Sequence, residues 1–438
     1  ADTLPQPGGR VQHHWQTRYP MAFYLISLAI SRYYEYSYYM HFNGSTDSMP
    51  VVNYIPNKEA DINRIKPFLD STALLINDMS DQWGRYPFWQ EKYGHCFTTS
   101  GINMEHQTMT TTRFSNLSVV VHELAHQWFG NLVTCASWRD IWLNEGFATY
   151  AQYLAYNRYS GAASGRTFMA LLHADVMKEP GGSVYVDDTT SSDRIFNGRL
   201  SYSKAAAVIH MLRYSMGDVA FDTLLHRWLS RYAWGNANTT QLQLLAEEVT
   251  GKRYYTFFRQ WIYGTGYPVA QLAWNQVDGQ VFFRLRQKGT GNIAVYDMPI
   301  EVTLKTTTGD TTLILHSDRP EQYYTYSGIA TVTDVVANPN LWLLLQCTTQ
   351  HTPSLDLRDG VVHLHPNPAA TSVWVSYAAT TTPLLSLFDV AGRTVLQQWL
   401  PAGPATQEVS VAHLPPGTYL YRVTASGVNI GRGTFVRQ

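Results

Sequence analysis

The sequence is poor in cysteine and in charge, and it has no long apolar run. Three cysteines among 438 residues, an odd and scattered set without a CxxC pair, provide no disulfide framework. Charged residues amount to 15% with a net charge of -1, and a chain without a basic excess is not expected to have a nucleic-acid partner. The longest apolar run near the start, 21–30, is too short to cross a bilayer, so we expect no membrane-spanning segment.

Apolar residues are plentiful, at 45% of the sequence, and predict a folded chain with large cores. The pattern of elements predicts a multidomain α+β protein. Residues 1–57 are expected to form strands that end a larger β-domain, and helical spacing dominates 58–266. Residues 267–346 are typical of an antiparallel β-sandwich, and a polar linker at 347–360 leads to a second, Ig-like β-sandwich at 361–438.

Individual elements are also predicted in the first half of the chain. Residues 23–30 are expected to form a strand, and 58–83 one long amphipathic helix. Residues 95–112 are expected to be extended, and helices are expected at 141–156 and 201–214.

A stretch in the helical part carries the pattern HExxH. Since residues four apart lie on one face of a helix, His122 and His126 can bind the same metal ion. Glu123 is on the adjacent turn, where it can act on a water molecule at that ion. Glu145 follows after eighteen residues, in a second helix that a short loop allows to pack antiparallel against the first. These four residues predict a catalytic zinc site with two His ligands and one Glu ligand.

The sequence excludes another common arrangement of such zinc sites. That arrangement has a third histidine six residues after the second and a glycine three residues after it, but these positions are Leu132 and Phe129. Glu145 is therefore the best candidate for the third ligand. The predicted reaction class is metal-assisted hydrolysis of an acyl bond.

The stretch HELAHQWFGNLVT followed by WLNEGFA resembles the aminopeptidase N family of gluzincin metallopeptidases. The similarity extends over 15–338, with local matches in YPMAFYLI, YPFWQEKYG, YSKAAAVIHMLR and QWIYGTGYP. The resemblance implies a thermolysin-like, mainly α-helical catalytic domain. It also implies one zinc ion bound by His122, His126 and Glu145, with Glu123 as the general base.

The same resemblance implies residues that handle the substrate. A Tyr in a Tyr-x-Lys-Gly context stabilises the oxyanion in this family, and Tyr202 matches it, with Ala205 at the position of the usual Gly. The family's Gly-x-Met-Glu-Asn signature matches 102–106, where Met104 and Glu105 are kept while the first and last positions are Ile and His. Glu105 is thus implied to anchor the substrate's free α-amine, and Met104 to belong to the substrate-binding segment.

The C-terminal part has a resemblance of its own. HPNPAATSVWVSY, LFDVAGRTVLQQWL and LPPGTYLYRV, in this order within 361–438, look like the C-terminal sorting domain of type IX secretion substrates. The resemblance implies the type IX secretion machinery as a partner, and a secreted or outer-surface location in a Bacteroidetes-type bacterium. A generic β-sandwich, such as a carbohydrate-binding module, is the alternative for this part.

Members of the aminopeptidase N family carry a large β-domain before the catalytic one, and 1–57 resembles only its end. We therefore expect a truncated chain with a more open active site, acting on peptides with a free N-terminus. Two alternatives remain open. One is a thermolysin-like zinc endopeptidase, which would lack the Met-Glu amine anchor. The other is a catalytically silent surface-binding protein, which Ile102, Asn103 and Ala205 suggest.

Overall fold

The computed structural model of the chain describes residues 2–56, 58–98, 102–113, 116–353, 355, 362–377, 379, 381–403 and 405–438. Within these ranges the chain forms two compact units, 1–265 and 266–438, and every helix described lies in the first. A helical unit that also carries sheets, followed by a unit of strands, confirms the predicted α+β class. None of the described helices is long and apolar enough to cross a membrane.

Helices make up most of the first unit. Two π-helical turns, at Gly198–Lys204 and Arg259–Tyr263, continue directly into or out of α-helices. The α-helices are α1 (Glu59–Asp70), α2 (Thr72–Trp83), α3 (Leu117–Ala125), α4 (Trp142–Ser160), α5 (Ala162–Val176), α6 (Ser192–Ile195), α7 (Ala205–Met216), α8 (Asp218–Arg231), α9 (Thr239–Thr250) and α10 (Tyr255–Phe258).

The strands of the first unit fall into two groups. The first four lie within its first 56 residues, and the other four have three residues each. They pair into one four-stranded sheet and two two-stranded ribbons. The strands are β1 (Asp2–Gln6), β2 (Arg10–His14), β3 (Tyr33–His41), β4 (Ser48–Pro56), β5 (His95–Phe97), β6 (Thr110–Thr112), β7 (Val133–Cys135) and β8 (Gly235–Ala237).

The four-stranded sheet crosses the domain boundary predicted at residue 57. β3 pairs antiparallel with β4, and β4, β5 and β6 follow in parallel. The Val52 N–H donates to the carbonyl of Tyr93 at 2.8 Å. Gly94 allows this close approach, because a Cβ there would lie 1.6 Å from the Val52 carbonyl oxygen. The strands assigned from sequence to the end of a separate β-domain are therefore part of the sheet that continues into β5 and β6.

The strand predicted at 23–30 is wrong. This segment contains only a 3-10 turn at Phe23–Leu25. Ile26, Leu28 and Ile30 are exposed, and no described strand pairs with them. A run of β-favouring residues forms a strand only where a neighbouring strand is available to satisfy its backbone.

The single helix predicted at 58–83 is also wrong, since it is divided into α1 and α2 at Ser71. The Ser71 hydroxyl donates to the carbonyl of Phe68 at 2.6 Å, which satisfies an end of α1 locally. Pro67 lies in the same turn and provides no N–H for the helical ladder. The apolar spacing continues across the break, so periodicity alone did not reveal it.

Helix α4 is the centre of the first unit. It packs against α3, α5 and α7, and 12 of its 19 residues are buried, a distribution typical of a helix enclosed on all sides. The indole N–H of Trp142 donates to the Thr239 hydroxyl at 2.9 Å, which fixes the first turn of α4 against the start of α9. Helix α3 is capped by the Asn116 side chain, which accepts from the Val119 N–H at 3.0 Å.

Helices α4 and α7 approach most closely at Gly146. A Cβ at this position would lie 2.7 Å from the Cβ of Ala205, closer than two such atoms can pack. Gly146 directly follows Glu145, and Ala205 begins the helix that follows the turn containing Tyr202. The small volumes of these two residues therefore determine how near the two segments lie.

We expect the substitution Gly146→Ala to lower the free energy of unfolding by about 1–3 kcal/mol, because the added methyl group overpacks the contact with Ala205. Chemical denaturation monitored by circular dichroism measures this change. The matched control is the double variant Gly146→Ala with Ala205→Gly, which removes the opposing methyl group and should recover most of the loss. A single variant as stable as the wild type, or a double variant no better than the single one, would contradict this packing argument.

The second unit contains the strands predicted there from alternation. Its pairings are antiparallel except that β9 and β15 run parallel. The strands are β9 (Pro268–Val277), β10 (Gln280–Gly289), β11 (Met298–Thr306), β12 (Gly309–Ser317), β13 (Glu321–Ser327), β14 (Val332–Ala337), β15 (Gln346–His351), β16 (His363–His365), β17 (Ser372–Tyr377), β18 (Pro383–Phe388), β19 (Thr394–Trp399), β20 (Ala405–Ser410), β21 (Gly417–Ala425) and β22 (Val428–Arg437).

Four sheets organise these strands. The sheets β13-β10-β9-β15 and β12-β11-β14 come first in sequence, and β16-β17-β20 and β19-β18-β21-β22 follow. In the last two sheets, Val373 and Val375 of β17 share a buried core with Leu385 and Leu387 of β18, as expected for two sheets packed face to face.

The polar linker predicted at 347–360 begins later than expected. Residues 346–351 form β15, which lies at the edge of its sheet beside β9. Most side chains of β15 are exposed, so its sequence QCTTQH is polar and resembles a loop. Of the remaining linker, residues 354 and 356–360 lie outside the described residues.

Candidate active site

Three predicted ligands meet in the first unit. The Nε2 atoms of His122 and His126 are 3.1 Å apart, and each lies 3.3 Å from Oε2 of Glu145. Zinc–ligand bonds of about 2.0–2.2 Å in a tetrahedral site place donor atoms roughly 3.3–3.5 Å apart. The donor set and its spacing therefore fit a zinc ion.

Helix α3 and the first turn of α4 position these donors. His122 lies in the last turn of α3, and His126 directly follows the helix. Glu145 lies in the first turn of α4, where a carboxylate is favoured by the helix dipole. The Nδ1 atom of His126 is 3.0 Å from the carbonyl oxygen of Phe129, a contact that directs Nε2 toward the other two donors.

The site brings three buried carboxyl groups together with two imidazoles. Glu105 and Glu123 each present an oxygen within 4.8 Å of a His126 nitrogen and of one another. Glu105, Glu123 and Glu145 are all at most 6% exposed. Burying carboxylates together is costly unless a cation compensates them, which is a further reason why the cluster fits a metal ion.

The pKa values reflect this crowding. Burial raises the pKa of Glu123 well above its ordinary value, and the charges of Glu105 and Glu145 act in the same direction. Burial also acts to raise the pKa of Glu145, but the imidazoles of His126 and His122 outweigh it and lower that pKa. The surroundings of Glu123 therefore favour its protonated form more than those of an exposed carboxyl group do.

The segment with Met104 and Glu105 is fixed to the loop that follows α3. The Glu105 carbonyl accepts hydrogen bonds from Nδ2 of Asn131 at 2.8 Å and from Nε2 of Gln127 at 3.4 Å. Met104 exchanges two backbone hydrogen bonds with Thr111, both of 2.9 Å. Glu105 is thereby held beside the donor triangle by Gln127 and Asn131, which follow the predicted ligand His126 in sequence.

The residues on either side of Met104 and Glu105 make hydrogen bonds within the same turn. Asn103 Oδ1 accepts from the Thr112 hydroxyl at 2.9 Å, and His106 Nδ1 lies 2.7 Å from Oγ1 of Thr111. Ile102 is 55% exposed. Asn103 and His106 therefore contribute to holding the turn that contains Glu105.

Tyr202 also lies at the site. Its ring stacks on His122, with centroids 6.0 Å apart and planes inclined by 16°. Burial raises the pKa of its phenol, and the carboxylates of Glu145 and Glu105 raise it further, so the group stays protonated and able to donate. The two residues after Tyr202 hold this π-helical turn in place. The Ser203 hydroxyl donates to Asp175 at 2.8 Å, and Nζ of the buried Lys204 donates to the carbonyl of Gly182 at 2.8 Å.

All seven predicted site residues thus meet in one region, and the sequence reading missed four others. Gln127 and Asn131 position Glu105, as described above. Asn144 donates to the hydroxyl of Tyr24 at 3.3 Å, although the two residues are 120 positions apart. Gln127 and Asn131 could have been noticed from sequence, because they are polar residues in a largely apolar stretch. No spacing or pattern in the sequence connects Tyr24 with Asn144.

Comparison with known families finds two matches. Residues 94–261 match the peptidase family M1 domain, and residues 363–433 match the secretion system C-terminal sorting domain. Both matches lie where the sequence analysis found its resemblances.

A curated relative is aminopeptidase M1-D of Oryza sativa subsp. japonica, which is 36% identical over 172 residues. The match covers 38% of this chain and 20% of the relative, so the chain spans only about a fifth of that protein's length.

Solved structures show the same fold. Aminopeptidase A of Legionella pneumophila, solved with aspartic acid, superposes with a TM-score of 0.68 at 15% identity and covers 80% of this chain and 42% of that one. A variant of an M1 zinc metallopeptidase from Deinococcus radiodurans has a TM-score of 0.51 at 25% identity, with 60% and 59% covered.

Proposed function

The chain carries a peptidase family M1 domain followed by a secretion-system sorting domain, and from this premise we propose that it is a zinc-dependent aminopeptidase. In this proposal it removes single residues from peptides that have a free N-terminus. The M1 aminopeptidases among its relatives support the reaction, and the geometry around Glu105 supports the preference for a free amine.

The observation that carries the proposal is the position of the Glu105 carboxylate. It lies within 4.8 Å of both Glu123 and His126, and it is almost completely buried. A buried carboxylate at this distance can pair with the ammonium group of a substrate whose first carbonyl lies at the metal site. The backbone of an internal peptide segment has no ammonium group to pair with Glu105, which disfavours the thermolysin-like endopeptidase.

His122, His126 and Glu145 would hold one zinc ion, as the family and the donor set imply. Such an ion, when bound, polarises the scissile carbonyl and makes an attacking water more acidic. The ordered ligands and the supporting hydrogen bond of His126 also argue against the silent surface-binding alternative.

The protein side chains divide the remaining work. Glu123 takes the proton from the attacking water and delivers it to the leaving amine. The Tyr202 phenol donates a hydrogen bond to the carbonyl oxygen as negative charge develops on it. Glu105 pairs with the α-ammonium and so fixes which peptide bond lies beside Glu123.

The proposal is tested with the zinc-loaded chain and two matched substrates, alanyl-p-nitroanilide and its N-acetylated form. We expect release of nitroaniline from the first substrate and none from the second. Chelation should abolish the activity, and added zinc should restore it. Cleavage of the blocked substrate alone would indicate an endopeptidase, and cleavage of neither by a zinc-loaded chain would favour the binding protein.

The substitution Glu105→Gln should raise KM for the free-amine substrate by at least about tenfold, because it removes the charge that pairs with the ammonium group. Gln107, another buried residue of this segment, provides the control. The variant Gln107→Ala, which adds no charge and keeps Glu105, should leave KM within about threefold. An unchanged KM for Glu105→Gln would exclude the assigned role. Initial rates over a range of substrate concentrations give KM for each variant.

We also propose a domain arrangement and a location. The thermolysin-like catalytic domain would extend to residue 266, with β3 and β4 belonging to its sheet. A β-sandwich that includes β15 and ends at residue 351 would follow, and then the sorting domain at 361–438. The sorting domain supports export through the type IX secretion machinery. The protein would then act outside the cell or at the outer surface of a Bacteroidetes-type bacterium.

A further inference from the structure

The turn that follows Glu105 contains a strained residue. The Met109 N–H donates to the carbonyl of His106 at 3.0 Å, which closes a turn of four residues. Thr108, the third residue of this turn, has a φ of 63°. A positive φ at that position is typical of type II turns, which favour glycine or asparagine there. A β-branched residue such as threonine adopts this conformation only at an energetic cost, so the surrounding contacts must hold it.

The side chain of Gln127 contacts both this strained residue and the predicted amine anchor. Its Oε1 accepts from the Thr108 N–H at 3.0 Å, and its Nε2 donates to the Glu105 carbonyl at 3.4 Å. The Tyr86 hydroxyl donates to the same Oε1 at 3.4 Å, and the Gln127 side chain is completely buried. One carboxamide with a fixed orientation therefore connects Thr108 with Glu105.

Two further hydrogen bonds hold this region, each at one place only. Nζ of Lys92 donates to the Thr108 carbonyl at 3.3 Å, and Nδ2 of Asn131 donates to the Glu105 carbonyl at 2.8 Å. The first bond holds the strained residue, and the second holds the anchor. Among these contacts, those of Gln127 alone join the two.

The consequence of losing this link is confined to a short stretch. Met104 and Thr111 exchange two backbone hydrogen bonds, so the chain is fixed on both sides of the turn. If Thr108 relaxes to a negative φ, the residues between these two fixed points must take up the change. Glu105 is one of them, and its backbone would then shift relative to the metal-binding cluster.

We propose that Gln127 is a positioning residue, which keeps the Glu105 carboxylate in place by holding Thr108 in its strained conformation. The inference rests on the aminopeptidase function proposed above, in which Glu105 pairs with the ammonium group of the substrate. Gln127 then affects substrate binding through Glu105 and takes no part in the chemical step.

The test measures kcat and KM for alanyl-p-nitroanilide with the zinc-loaded full chain. Gln127→Met keeps the side chain's length but can neither accept from Thr108 nor donate to Glu105. KM should rise at least about fivefold and kcat should stay within about threefold, because only the binding of the ammonium group is weakened. In a Glu105→Gln background the same substitution should change KM by less than about twofold, since the carboxylate that Gln127 positions is already absent.

A substitution in the turn provides the rescue. Glycine adopts a positive φ without the strain that threonine has, so the turn of a Thr108→Gly variant no longer depends on Gln127. Thr108→Gly combined with Gln127→Met should therefore bring KM back to within about twofold of the wild type. A loss caused by general disruption of the core would not be reversed in this way.

Gln287 in the second unit provides the matched control. It is also buried, and its carboxamide donates to the Tyr296 carbonyl at 2.8 Å and accepts from the Tyr296 N–H at 2.9 Å. Gln287→Met should leave KM unchanged. Thermal melts and zinc content establish that each variant is folded and loaded. If Gln127→Met does not fold, Gln127→Asn replaces it, because the shorter side chain cannot reach both Thr108 and Glu105.

Three results would overturn the proposal. They are an unchanged KM in the Gln127 variant, a loss of kcat at constant KM, and a rise in KM that Thr108→Gly does not reverse. If the wild type does not cleave the substrate, the proposed function fails, and hydrogen exchange of the backbone amides in 103–112 then decides about Gln127. Faster exchange in Gln127→Met that slows again with Thr108→Gly supports the assignment, and any other pattern overturns it.

Discussion

Replacing Glu123 by Gln should lower kcat by about 10²- to 10⁴-fold, because an amide of the same shape cannot accept the proton of the attacking water. Glu123 is not one of the three residues whose donor atoms form the triangle, so the zinc content of the purified variant should equal that of the wild type. The variant also removes a carboxylate whose charge is disfavoured by burial and by Glu105, and its thermal midpoint should be no lower than that of the wild type.

Two measurements decide this prediction, namely kcat from steady-state rates and zinc content from atomic absorption. A matched variant, His122→Ala, removes a ligand and should lose zinc and activity together. A Glu123→Gln variant with wild-type kcat would exclude the general-base role. Loss of zinc from it would instead make Glu123 a ligand or a support for one.

Replacing Tyr202 by Phe should lower kcat by about 10²- to 10³-fold with little change in KM, since it removes a single donor to charge that develops in the transition state. The ring that stacks on His122 is retained, so the metal-binding cluster should keep its zinc.

A second buried tyrosine provides the control for this substitution. The Tyr150 hydroxyl lies 3.2 Å from Nδ1 of His210, away from the donor triangle. Tyr150→Phe should lower the free energy of unfolding by about 1 kcal/mol and leave kcat within about twofold. If Tyr202→Phe raises KM at constant kcat, Tyr202 binds substrate without stabilising the transition state. If both variants lose kcat equally, the effect is structural.

The proximity of the three predicted ligands could be anticipated because it depends mainly on local spacing. His122 and His126 are four residues apart, and one turn of any helix brings such residues together. Glu145 needed only the further assumption that two helices joined by a short loop pack against each other. The strands of the second unit could be predicted in the same way, since alternating apolar and polar residues indicate a strand with one buried face.

Other features depend on contacts between distant parts of the chain. Tyr24 and Asn144 are brought together by the path of an irregular segment, and no periodic pattern records such a path. The sheet that crosses residue 57 was missed for a related reason, because β4 pairs with β5 after two intervening helices. The break at Ser71 depends on one hydroxyl, which leaves the apolar spacing unchanged.

The two hydrogen bonds from Gln127 and Asn131 to the Glu105 carbonyl tie the predicted amine anchor to the residues that directly follow the HExxH segment. In a chain acting as proposed, the distance between the Glu105 carboxylate and the metal-binding cluster corresponds to one residue of the substrate. The distance from the peptide's first atom to the bond that is broken stays constant, whatever the length of the peptide. Each turnover would then shorten a substrate by one amino acid, and a long peptide would give a ladder of products rather than a set of fragments.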